Sequence, residues 1–212
     1  MRRPWFLFFY LLAVALAQTA GFTVEPAGNQ SVNLTTGIVT LPQGGRIVAP
    51  EHGVVLRAPY IEYKEGEFVE AREAEVTWHD SEVKGGEISI DLVQQKAELT
   101  RGVALKIPAL TEVKAQTATM FLAGGVAVLA GSIESDSPTL NAEQAVVDLE
   151  SQEVILVGPF SYIDKSGFRL SGTAADAMLY LKLGSEQSIT ANTIVEPATW
   201  ERLSPYLETS SD

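Results

Sequence analysis

The sequence has no cysteine and only two histidines among its 212 residues. Without thiols there is no disulfide, thiolate zinc site, iron-sulfur cluster, cysteine nucleophile or lipid-modified cysteine, and thiol usage says nothing about redox compartment. Basic side chains are scarce as well, with 15 Lys and Arg against 27 Asp and Glu and a net charge of −12. That balance repels phosphate backbones, so no nucleic-acid partner is expected. A phosphate-cradling glycine loop and a nucleophile elbow are both missing. What remains is a chain that is 46% hydrophobic and long enough to bury a core as one domain or two small ones.

Arg2 and Arg3 precede an unbroken apolar run from Trp5 to Ala17, which ends in the small-residue pattern Ala15-Leu16-Ala17. A membrane span needs roughly 20 apolar residues, and this run is shorter. The pattern is that of a secretory signal peptide over residues 1–17, removed after Ala17, which predicts an acidic mature protein outside the cytoplasm. Retention of the segment as an N-terminal anchor is the alternative. A twin-arginine signal is not inferred from Arg2-Arg3, because no cofactor motif downstream requires export in the folded state.

Beyond the leader the chain repeats. Small residues at Ala58, Gly85, Ala115, Ala142 and Gly172 follow one another at spacings of 27, 30, 27 and 30. Two positions before each stands an aliphatic residue: Leu56, Val83, Val113, Leu140 and Leu170. After each comes an alternating run, Ile88, Ile90 and Leu92, then Ala118, Met120 and Leu122, then Ala145, Val147 and Leu149, then Ala175, Ala177 and Leu179. Period two with polar residues between, such as Glu87, Ser89 and Asp91, predicts antiparallel strands with one buried face. A second set of small residues, Ala74, Gly102, Gly131 and Gly158, is expected to close a second strand in each unit, giving strand, turn, strand, turn. Residues 18–53 read as an N-terminal hairpin, Val32 to Leu41 against Arg46 to Val48, forming half a repeat. Residues 54–195 carry the repeats. Pro59 and Glu65 make the first unit irregular or place it at an edge. Residues 196–212, with Trp200 and Leu203 between Pro197 and Pro205, form a tail or a short helix.

The unit aliphatic-x-[Ala/Gly]-x-x-[Ala/Ile]-x-apolar-x-Leu, followed by a short strand ending in Gly, resembles the OstA-like family of periplasmic lipopolysaccharide-transport proteins (LptA type). Leu140-Asn141-Ala142-Glu143-Gln144-Ala145-Val146-Val147-Asp148-Leu149 with Val154 to Gly158 carries the likeness best, and Val113 to Gly131 next. It covers about Asn33 to Leu181; Gly85-Gly86, Pro59 and the acidic tail depart from it. The resemblance implies an all-β fold, a repetitive antiparallel β-jellyroll open and twisted like a taco. It also implies lipopolysaccharide or another acylated envelope lipid as ligand, and edge-strand pairing with other OstA-like envelope proteins or with head-to-tail copies of itself. The residues themselves leave open whether the apolar interior is a slot for hydrocarbon or a closed core, so a structural envelope β-solenoid is the rival reading.

The inward phase, Ile88, Ile90, Leu92, Met120, Leu122, Val147, Leu149 and Leu179, is expected to line one continuous apolar interior that binds lipid. A one-residue slip would bring Glu87, Asp91 and Asp148 inside at heavy desolvation cost. No catalysis, cofactor or metal is expected. Ser81-Glu82-Val83-Lys84 matches the serine-x-x-lysine pattern of acyl-enzyme hydrolases, but that serine must open a helix and Val83 starts a strand. His52, His79 with Asp80, and Glu134 with Asp136 lack the ligand sets that zinc or calcium require. Free edges are expected at Val32 to Val39 and Ser188 to Val195, where proline at Val39 or Ile194 should block pairing.

Overall fold

The computed structural model describes residues 22–50, 53–78, 81–107, 110–184 and 188–209. The expected leader, His52, His79 and Asp80 lie outside them. The described residues are all-β apart from one helix, and their strands form a single 17-stranded sheet. In chain order they are β1 (Thr23–Pro26), β2 (Ser31–Val32), β3 (Val39–Leu41), β4 (Gly45–Ala49), β5 (Val54–Ala58), β6 (Tyr60–Lys64), β7 (Phe68–Trp78), β8 (Ser81–Asp91), β9 (Lys96–Ile107), β10 (Leu110–Ala115), β11 (Thr117–Phe121), β12 (Val126–Asp136), β13 (Thr139–Asp148), β14 (Glu153–Ile163), β15 (Arg169–Gly172), β16 (Met178–Leu183) and β17 (Ile189–Asn192). Helix α1 (Pro197–Thr209) follows. No described helix is long and apolar enough to cross a membrane.

Register shows that the sheet is folded once along its length. Long strands split their pairing at the middle: Phe68 to Arg72 of β7 pair with β6, while Glu75 to Trp78 pair with β5. The first layer therefore comprises β2, β3, β6, half of each of β7, β8 and β9, then β11, half of each of β12, β13 and β14, then β16 and β17. The second comprises β1, β4, β5, the other halves, β10 and β15. All pairings are antiparallel, and one apolar core unites residues of both layers.

The second set of small residues consequently marks bends and not strand ends. Gly102, Gly131 and Gly158 have φ of 84°, 75° and 88°, with Arg101 and Ser132 beside the first two also left-handed and Glu73 likewise beside Ala74. An extra left-handed residue bends a strand and sharpens its twist, and this carries β7, β9, β12 and β14 from one layer to the other. The anchors Ala58, Gly85, Ala115, Ala142 and Gly172 sit at the same crease on the alternate strands. At Gly172 a neighbouring ring crowds the crease: a Cβ there would stand 2.7 Å from Phe160. Pro59 falls at this crease between β5 and β6, and both of those strands are interior to the sheet.

The N-terminal hairpin is corrected in the same way. Residues 33–38 turn between β2 and β3, and β3 pairs with β2 and β6 while β4 pairs with β1 and β5. The expected hairpin arms are thus the two halves of one bent strand. The last unit is also out of step, since residues 173–177 form an insertion at the crease. Ala175 is exposed there, and Leu179 pairs with Leu156 four residues later than the period requires.

Candidate functional site: the interior and its rim

Three inward rows cross the first layer, ordered by distance from the crease. Leu41, Ile61, Ala71, Ile88, Leu99, Ala118, Leu129, Ala145, Leu156 and Leu179 are successive cross-strand partners in the first. The second runs through Val69, Ile90, Ala97, Met120, Ala127, Val147, Val154 and Leu181. Leu92, Leu122, Leu149 and Leu183 form the third, at the free ends of the strands. Their amides donate to the carbonyls of Glu67, Gln95, Gly125 and Gln152 in the preceding turns. Each of the four turns holds a positive-φ residue, Gly66, Gln95, Gly125 and Gln152 in order, which lets the chain reverse tightly.

All eight residues expected inside do face the interior, but they divide by depth. Ile88 (2% exposed), Leu179 (0%), Met120 (4%) and Val147 (2%) are sealed, whereas Ile90, Leu92, Leu122 and Leu149 are half-buried. The facing layer supplies half-buried Val54, Trp78 and Leu170. The interior is thus a packed seam along the crease with an apolar rim at its open side. The residues of the opposite layer were missed because the alternation was followed on only one half of each bent strand. Trp78 continues the inward phase of Ala74 and Val76, so the signal was present.

Asp91 and Asp148 occupy the outer face, as the register requires. Asp91 accepts hydrogen bonds from the amides of Val93 (2.9 Å) and Gln94 (2.8 Å), and Asp148 from those of Glu150 (3.0 Å) and Ser151 (2.9 Å), so each fixes its following turn. Asp148 is nevertheless buried, because α1 covers the outer face of β12–β14. Leu203 and Leu207 pack there on Val126, Val128, Val146 and Ile155, forming a second apolar core. Arg202 reaches both Asp148 and Glu153, and the Tyr180 hydroxyl donates to Glu153 at 2.7 Å. Burial pushes both carboxyls up, yet hydrogen bonds from Ser151 and Arg202 to Asp148, and from Tyr180, Ser151 and Lys182 to Glu153, outweigh it and hold both below the ordinary range. Tyr180 is pushed up to about 12 by burial and by Glu153.

Ser81 begins a strand, and Lys84 is engaged by Glu75 at 3.2 Å and Glu82 at 2.9 Å on the outer face. Glu134 and Asp136 lie with Glu112 and Lys114 around an outer-face depression of the second layer. Among the described residues no group of three or more carboxylate or imidazole side chains is placed to hold a metal.

The edges fall in part where expected: among the described residues β17, within Ser188 to Val195, pairs only with β16, and β2, which includes Val32, pairs only with β3. Val39 has partners on both sides, in β2 and β6, and Ile194 lies beyond β17 with its amide already bonded to Asn192 Oδ1 at 2.9 Å. Gly184 N donates to the Ser188 carbonyl at 2.8 Å, and antiparallel alternation from that pair turns the amides of Ile189 and Ala191 to the open side of β17. At the other end Ala27 N bonds the Gly44 carbonyl, so the backbone of Val24 and Pro26 turns to the open edge of β1, where Val24 alone of the two has an amide to donate. Compared with known proteins, the chain matches no family model and no curated sequence.

Proposed function

We infer that this is an exported, non-catalytic periplasmic carrier that relays lipopolysaccharide or a comparable acylated envelope lipid, holding its acyl chains along the apolar rim. One observation carries the reading: the inward rows are sealed at the crease and half-open at Ile90, Leu92, Leu122 and Leu149. Half-open aliphatic side chains of this kind suit hydrocarbon, which gains about 0.8 kcal/mol per methylene buried. The OstA-like phase of the repeat points the same way. Competition between lipopolysaccharide and an apolar fluorescent dye tests it. Leu122→Glu and Leu149→Glu should each weaken dye and lipid binding by about tenfold or more, since a charge would enter the rim, while far-UV circular dichroism stays unchanged. Undiminished binding by both variants would refute a rim site.

The sealed first row favours a second reading, a structural envelope β-solenoid whose interior is filled. It requires that neither dye nor lipid binds the wild type at all.

Relay to other OstA-like envelope proteins, or to copies of itself, would run through β17, whose outward amides suit strand addition. Ala191→Pro removes one outward donor without touching the ladder to β16. Sedimentation over a concentration series should show association weakened by this variant and the monomer intact; association as strong as in the wild type would exclude β17 as the docking edge.

A further inference from the structure

Phe121, Val126, Asp148 and Glu153 are successive cross-strand partners on the outer face, in the row nearest the free ends of the strands. Leu122 follows Phe121 and Leu149 follows Asp148, so each of these rim leucines shares a peptide bond with a residue of the opposite face. Helix α1 holds both outer residues. The Tyr206 ring packs on Phe121 with centroids 4.8 Å apart, and a Cβ on Gly124 would stand 2.7 Å from the Tyr206 hydroxyl, so the close approach needs glycine in the Leu122 turn. One helical turn earlier Arg202 donates to Asp148 Oδ2, while Asp148 Oδ1 accepts the amides of Glu150 and Ser151 and fixes the turn that Leu149 opens. The same guanidinium holds Glu153, where the chain re-enters the sheet. Leu92 has a similar turn, capped by Asp91, but Val93 there is 75% exposed and neither β8 nor β9 contributes to the core beneath α1.

Resting on the carrier reading, we propose that α1 is a strap over one stretch of the rim: docked, it holds the turns of Leu122 and Leu149 in place, and undocked, it frees them to yield to an entering acyl chain. The helix is suited to two states. It has 13 residues with Pro205 inside, so it is marginal by itself and stays docked only through Leu203, Leu207, Tyr206 and Arg202. Coupling between two places needs such an element, whose equilibrium is biased from both. The rim at Leu92 lies outside the grip of the strap and is insensitive to it.

The test reads hydrogen exchange at the amides of Leu122 and Leu149, which donate to the Gln95 and Gly125 carbonyls at 2.9 Å, with the Leu92 amide, bonded to the Glu67 carbonyl at 2.9 Å, as control. Leu203→Asp drives a charge into the core beneath α1 and undocks it whatever the ion pairs contribute. In this variant Leu122 and Leu149 should exchange about tenfold faster or more, while Leu92 keeps its wild-type protection. Stopped-flow loading and release of an apolar fluorescent dye should each quicken about fivefold, and adding Leu122→Glu should abolish that gain. Wild-type protection of Leu122 and Leu149 with α1 unprotected overturns the strap and leaves the carrier reading standing. Loss of Leu92 protection along with the other two makes α1 integral to the whole fold and also overturns it. Unchanged dye kinetics, or faster kinetics that survive Leu122→Glu and so belong to the outer face that α1 uncovers, overturn the role in access. A wild type that binds neither dye nor lipid overturns the carrier reading and that role with it.

Discussion

Leu179→Ala should lower stability by about 3–5 kcal/mol, whereas Leu122→Ala should cost about 1–2. The two substitutions delete the same atoms from residues on the same inward phase, so chemistry alone predicts equal effects. Depth separates them. Leu179 is wholly inaccessible, pairs with Leu156 next to the crease and is enclosed by both layers. Truncation there removes the transfer energy and also leaves a void that neighbours on a doubly paired strand cannot collapse to fill. Leu122 lies at a strand end with one side open, so solvent or a small shift of the turn takes up the lost volume. In a domain of this size each kcal/mol displaces the melting temperature by about 2–4 °C. Denaturation midpoints of the two variants, measured side by side, give the comparison. Equal losses would mean that the rim is as closed as the crease, which would remove the physical basis of the carrier reading and favour the filled solenoid.

The sequence makes this depth difference hard to see, and the reason is general to bent strands. Period-two alternation reports which face is buried, and it placed Ile88, Met120, Val147 and Leu179 inside correctly. It is blind to distance from the crease, because Leu at the rim and Leu at the seam occupy the same phase. The crease itself is disguised, since a left-handed residue in mid-strand and one in a hairpin turn carry the same glycine signature. At Glu73, Arg101 and Ser132 the left-handed residue is not even glycine. The insertion at 173–177 defeats a strict period for a similar reason: small residues there imitate the inward phase of a strand that does not yet exist. Strand β1 has a single inward residue, Val24, too little for any periodicity to register. One further signal is legible in the sequence. Val126 to Leu129 and Val154 to Val157 are continuously apolar where half-exposed strands should alternate, which marks strands buried on both faces and demands a cover on the outside. With Trp200, Leu203 and Leu207 at helical spacing downstream, that cover is α1.

Arg202→Ala should release that cover. The guanidinium bridges Asp148, whose side chain is 8% exposed, and Glu153, at 13%, so its removal leaves two nearly buried carboxylates with less compensation. Asp148 retains the Ser151 and Glu150 amides and Glu153 retains Tyr180 and Lys182, which limits the loss to about 2 kcal/mol. That is enough to undock a helix of 13 residues containing Pro205, since an isolated helix of this length is marginal in water. Acid should do the same to the wild type. Both carboxyls titrate lower in the folded protein than in the unfolded chain, so their contribution is complete above the unfolded values of about 3.9 and 4.3 and is lost as pH falls through the folded ones. Tyr180 has the opposite sign: its raised value makes stability fall as pH rises from about 10 toward about 12. Hydrogen exchange of the α1 amides is the direct measurement. Protection should be constant from neutral pH down to about 5, should fall below about 4 in advance of the amides of β7–β9, and should be low at neutral pH in Arg202→Ala. If α1 and the central strands lose protection together in acid, the helix is integral to the cooperative fold. If α1 stays protected in Arg202→Ala, the apolar contacts of Leu203 and Leu207 hold it without help from the ion pairs.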